Sequence, residues 1–109
     1  MPEGEWKIVA VNGETVESKM EKKPFLAFDQ QEKRVYGNSG CNIVNGGYTQ
    51  DKPGQLKFGM LISTMMACHE MDLERKILTA MEQVESYVRV KDTYELRDKD
   101  GKAVLVLKK

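Results

Sequence analysis

No apolar run in this sequence approaches the ~18 consecutive residues that a membrane-spanning helix requires, so a helical span is not part of its design. Charge of one sign is equally missing. Lys plus Arg and Asp plus Glu number 17 each, for a formal net charge of zero, and without a positive field nothing draws the chain to phosphate polymers or anionic lipid. Nucleic acid is therefore not an expected partner. The local basic runs at Lys19–Lys23 and Lys108–Lys109 are interrupted or faced by acids such as Glu21 and Asp100, as on an ordinary solvated surface. Histidine occurs once, at position 69, and cysteine twice, at 41 and 68. That is too few for a disulfide-dense scaffold, though it permits one bridge. Low-complexity stretches, linkers and solenoid-period repeats are absent. The opening Met1-Pro2-Glu3-Gly4-Glu5 has neither the basic nor the apolar region of a secretory signal.

What is present fits one globular core. A chain of 109 residues, 40% apolar and 31% charged, has the size and balance of a single domain, and residues 1–109 are read as one. Trp6 to Val11 mixes alternation with β-branched residues and runs into Asn12-Gly13, a pair suited to the positive φ values of a tight hairpin turn. A short strand is expected over Glu14 to Glu17. Phe25 to Phe28 and Arg34 to Tyr36 form a second expected hairpin across the polar Asp29 to Lys33, and Tyr48 resumes extended structure after a glycine-rich stretch. The turn at Asp51 to Gly54 leads to Leu56-Lys57-Phe58, whose two apolar side chains share one face of a strand. Tyr87 to Val90, Thr93 to Leu96 and Ala103 to Leu107 complete the strands.

One segment has a different period. Leu73, Ile77, Ala80, Met81 and Val84 recur at spacings of three and four, which predicts a helix with these residues buried, Asp72 at its start, and Glu74, Arg75, Glu82 and Gln83 on the wet side. Seven or eight short strands with one main helix predict an α+β domain built on an antiparallel sheet, not a βαβ fold.

Four glycines fall between positions 37 and 47, so the backbone there needs either positive φ or close approach to a neighbouring strand. Gly37-x-x-Gly40 lacks the following Lys-Ser/Thr and the strand-to-helix setting of a phosphate loop, and reads as a bend. Gly40-Cys41-Asn42-Ile43-Val44-Asn45-Gly46-Gly47-Tyr48 resembles the G-C-N-x-x-x-G-x-Y signature of the META/HslJ family. Thr64-Met65-Met66-Ala67-Cys68 resembles its T-x-M-A-C block. The motif residues are thus Gly40, Cys41, Asn42, Gly46, Tyr48, Thr64, Met66, Ala67 and Cys68. The tryptophan strand, the helix and the C-terminal strand pair follow the family order, so the resemblance spans nearly the whole chain.

The resemblance implies a curved antiparallel sheet, or open barrel, closing around a helix. It also implies an extracytoplasmic or secreted setting, association with heat shock and antibiotic stress, and no established reaction. A likeness of that fold to secretion pilotins suggests, by analogy, a groove for lipid or peptide. Many relatives carry a lipobox before the domain; this sequence has none, so a signal segment or lipid anchor is expected upstream of it.

Cys41 and Cys68 each sit inside a family block. A bridge between them would close a loop of about 28 residues, a constraint of roughly 3.5 kcal/mol on the unfolded chain; adjacent, buried thiols are the other structural reading. Zinc would need about four ligands, and Cys41, Cys68 and His69 fall short. No cofactor is expected. Phe58, Met60, Met65 and Met66 offer flexible apolar side chains near the helix, either as core filling or as the lining of an adaptable groove. The leading expectation is a non-enzymatic envelope or secreted domain that binds a hydrophobic ligand, peptide or protein partner. The competing one is a thiol-dependent redox or hydrolytic enzyme using Cys41 or Cys68 with His69.

Overall fold

The structure, a computed structural model, describes residues 2–16, 24–39, 42–64 and 72–109. Within them the chain forms β1 (Gly4–Val11), β2 (Glu14–Thr15), β3 (Phe25–Asp29), β4 (Arg34–Asn38), β5 (Ile43–Thr49), β6 (Lys57–Ser63), α1 (Asp72–Gln83), β7 (Ser86–Val90), β8 (Thr93–Arg97) and β9 (Ala103–Lys108). Turn chemistry joins neighbours as the sequence predicts. Asn12 and Gly13 both adopt positive φ, 51° and 83°, between β1 and β2. The Asp29 carboxylate accepts hydrogen bonds from the Gln31 and Glu32 amides, and Asp98 accepts from those of Asp100 and Lys102, so each aspartate holds the turn that follows it.

All pairings are antiparallel, and the strands run in the order β6-β5-β4-β3-β1-β9-β8-β7, with β2 on β1. The sheet curls without closing. Among the described residues its two outer strands meet at one end, where Gln55 pairs with Ser86, the Leu56 amide donates to the Glu85 carbonyl (3.2 Å) and the Tyr87 amide to the Gly54 carbonyl (2.9 Å). The α+β architecture is the one expected, with nine strands among the described residues against the seven or eight predicted; β2 spans Glu14–Thr15, and β5 begins before Tyr48 and continues through Gly46-Gly47.

Helix α1 packs on β9, β6 and β1. Ile77, Ala80, Met81 and, just past its end, Val84 are buried, with Leu73 half-buried beside them. Each large side chain removed from water here contributes roughly 1.5–3 kcal/mol. Trp6 meets Tyr94 edge-on at 5.0 Å, tying β1 to β8 across β9. Two expectations are corrected. Glu74 is not on the wet side of the helix; only 4% of it is exposed. Gly37 does not form a bend but lies inside β4, paired with Leu26 of β3, and glycine is needed there because a side chain would come within 2.0 Å of the Phe25 carbonyl oxygen.

Candidate functional site

Two features stand out once the core is accounted for: a buried polar junction beneath the family motif and an apolar face outside the sheet. The junction forms where β4 ends, β5 begins, β6 ends and α1 starts. Ser39 is fully buried and Asn42 nearly so, and the Ser39 amide donates to the Asn42 carbonyl at 3.0 Å, holding the end of β4 to the start of β5. Glu74, in the first turn of α1, reaches both residues. Its Oε1 accepts from Ser39 Oγ at 2.7 Å and from the Asn42 amide at 2.8 Å, and its Oε2 accepts from Asn42 Nδ2 at 3.0 Å. Thr64 closes the set: its Oγ1 accepts from the Ile43 amide (3.1 Å) and donates to Asn42 Oδ1 (2.8 Å), while its amide donates to the Ile43 carbonyl (3.0 Å).

These bonds share one direction. The Ile43 amide occupies the Thr64 oxygen as acceptor, so the Thr64 hydroxyl hydrogen turns to Asn42 Oδ1, which leaves Asn42 Nδ2 to face Glu74. The chain of donors ends on a carboxylate, where polarisation along the chain strengthens every member. Burial alone would push the Glu74 carboxyl up, but the bonds from the Ser39 side chain and from the Asn42 side chain and backbone outweigh it and hold the group below its ordinary value. No cation among the described residues lies within salt-bridge distance of Glu74. The start of α1 supplies the favourable field instead.

Of the other motif residues, Gly46 lies in β5, where a side chain would approach the Met60 carbonyl oxygen to 2.7 Å and Leu61 Cδ2 to 2.9 Å. Positions 37 and 46 thus serve close strand approach, and none of 37, 46 and 47 adopts positive φ. Tyr48 is buried, meets Phe28 edge-on at 5.9 Å and donates its hydroxyl to the Asp29 carbonyl at 3.3 Å. Its phenol is pushed up by burial and by the carboxylates of Glu3 and Asp29. Gly40, Cys41, Met65, Met66, Ala67, Cys68 and His69 lie outside the described residues.

Phe58 and Met60 belong to opposite faces. Phe58 packs on the core, its ring 6.3 Å from that of Phe28, whereas Met60 is 87% exposed. A bulge separates them: Tyr48 pairs with Phe58 but Gly46 with Leu61, so β6 spends one residue more than β5 and turns Met60 outward. On that outer face Tyr36, Asn45 and Ile62 form one cross-strand row, and Ile43 lies in the adjacent row opposite Asn38. Tyr36, Ile43 and Ile62 are 53%, 54% and 61% exposed. Arg34 borders the patch, its Nη2 donating to Asn45 Oδ1 at 3.2 Å.

Sequence reasoning missed Glu74 and Ser39. The available signal was spacing: position 74 is three before Ile77 and seven before Met81, on the side of the helix that the apolar residues bury.

The family model described as the META domain matches residues 1–109. No curated protein matches. Among solved structures, an NMR structure of a protein from Burkholderia xenovorans is 24% identical with a TM-score of 0.76, covering 97% of this chain and 81% of that one. A second NMR structure is 21% identical with a TM-score of 0.73, over 96% and 87%. A crystal structure of a DUF4847 family protein from Bacteroides vulgatus is 12% identical with a TM-score of 0.70, over 96% and 91%. At these identities the likeness is one of fold.

Proposed function

This chain belongs to the META domain family, and from that premise we propose that it is a non-enzymatic envelope or secreted module that binds an apolar segment of a peptide or protein on the outer face of β4, β5 and β6. The observation that carries the reading is the set Tyr36, Ile43, Met60 and Ile62, four large apolar side chains more than half exposed on neighbouring strands. Contiguous exposed apolar surface marks interaction sites in soluble proteins. The shape favours a peptide or protein over a small lipid, because small-molecule sites are concave and the inner face of the sheet is occupied by core side chains, Phe58 included. The extracytoplasmic setting and the association with stress rest on the family resemblance.

The test is an NMR titration with an amphipathic peptide carrying alternating apolar residues, on the wild type and on Ile62→Glu and Met60→Glu. Saturable shifts confined to β4–β6, lost in both variants, support the proposal. Stability should change by less than about 0.5 kcal/mol, since both side chains are exposed. Absence of saturation in the wild type, or shifts mapping to β7 and β8, would overturn it.

The proposal includes a structural role for Cys41 and Cys68, as a bridged pair. In its support, Asn42 and Thr64, which stand one and four residues from them in sequence, are hydrogen-bonded at 2.8 Å. Two reactive thiols in denatured protein prepared without reductant would rule the bridge out. Thiol chemistry with His69 is the competing reading, and no observation among the described residues favours it.

A further inference from the structure

We infer that the segment bound on the outer face of β4, β5 and β6 carries a side-chain carboxylate, held by Arg34 and Asn45 within the apolar patch; this rests on the peptide-binding reading of that face and names the chemistry of the partner. The first observation is charge. The three strands carry two charged side chains between them, Arg34 and Lys57, and no acid. Lys57 is engaged with Glu85 at 3.0 Å. Arg34 is exposed and has no carboxylate within salt-bridge distance among the described residues. Asp29, its partner in the β3–β4 register, spends Oδ1 on the amides of Gln31 and Glu32 instead.

The second observation is the direction of one hydrogen bond. A guanidinium has five N–H donors and no acceptor, so the bond from Arg34 Nη2 at 3.2 Å fixes the Asn45 amide with Oδ1 toward the arginine. Nδ2 then keeps two N–H donors that no acceptor among the described residues takes. These are open to solvent, since no buried polar side-chain atom among those residues lacks a partner. Asn45 is half-buried in the row between Tyr36 and Ile62, with Ile43 two positions earlier on the same face. The polar centre of the patch therefore offers donors only.

A wholly apolar partner would cover those donors and leave them without water or acceptor, at the full cost of desolvation. A carboxylate removes that cost. Its two oxygens accept from the guanidinium and from the amide together, and its bonds to Arg34 are charge-assisted. Because Tyr36 and Ile62 flank Asn45 on opposite sides, a segment in contact with both crosses over the amide rather than ending on it. The carboxylate is accordingly that of an internal Asp or Glu.

The experiment compares two end-blocked peptides of identical alternating apolar sequence, one with Glu and one with Gln at the centre, titrated into the full chain and followed by NMR. On the wild type both should saturate at β4–β6, the Glu peptide about tenfold tighter at low ionic strength, with the advantage reduced by salt and the Arg34 Nε–H signal displaced further by the Glu peptide. Arg34→Gln should bind the two peptides equally. Asn45→Asp gives the arginine an acid of its own and should remove the preference while the apolar contacts remain. A third peptide, with Gln at the centre and a free C-terminal carboxylate, should bind like the Gln peptide; if it matched the Glu peptide, the carboxylate would belong to a chain end and the internal-acid assignment would be wrong. Equal affinity for the Glu and Gln peptides on the wild type, or a preference that survives in Arg34→Gln, overturns the inference and leaves the apolar-patch reading standing. Saturation by none of the peptides overturns both.

Discussion

At Gly37 and Gly46 the missing side chain is what allows the sheet to exist. A methyl group at Gly46 would be placed 2.7 Å from the Met60 carbonyl oxygen, and that oxygen is backbone, so the strands must separate. Gly46→Ala is expected to cost about 1–3 kcal/mol as overpacking, read as a lower denaturation midpoint at unchanged slope, and Gly37→Ala more, given its 2.0 Å approach to Phe25. Ile77→Asp places an unpaired charge where the wild-type side chain is fully buried; an expected loss of about 3–5 kcal/mol makes retained cooperative unfolding at the wild-type temperature the contrary result. Ile77 was legible from spacing alone. Glu74 was not, because a carboxylate at a buried helical position conflicts with the polar-outside rule unless its donors are known, and those donors lie more than thirty positions away, at Ser39 and Asn42. The glycines were legible as a constraint but not as its kind: composition cannot separate positive φ from close approach, a choice made by which strand lies alongside.

Among the elements, β6 departs furthest from its sequence pattern. Phe58, Met60 and Ile62 alternate in the sequence as if they shared a face, yet the bulge sends Phe58 inward and the other two out. A single extra residue reverses every side chain beyond it, and no local propensity announces where that residue will be absorbed. Because β6 is the outer strand of the sheet, the bulge also disrupts a template to which another chain could pair. Deleting Gly59 should restore regular pairing, since Phe58 and Leu61 would then oppose Tyr48 and Gly46 at equal spacing. The expected product is folded but associates with rising concentration, measurable by light scattering; a deletion variant that stays monomeric would show that the bulge does not guard this edge. The strands bounded by turn chemistry, such as β1–β2 across Asn12-Gly13, behaved as their sequence predicts because the cause there is local.

For the molecule as a whole, antiparallel α+β character was readable from strand count and hairpin spacing, while the strand order was not. Hairpin signals specify neighbours in sequence, whereas the pairing of β1 with β9 joins strands from opposite ends of the sequence and leaves no local signal. That central pairing predicts slow folding for a domain of this size, in the millisecond-to-second range typical of non-local topologies. Trp6, the only tryptophan, is a convenient reporter, since its edge-on contact with Tyr94 forms only when the two halves join. A stopped-flow fluorescence phase completed within microseconds would contradict this order of events. There is a further consequence for how the protein is made. Strand β1 lies between β3 and β9, and near its ends Lys109 reaches the Glu3 carbonyl across 106 positions of chain. During synthesis one flank of β1 therefore stays unpaired until β9 has emerged, so this sheet is completed only after its C-terminal strand is available.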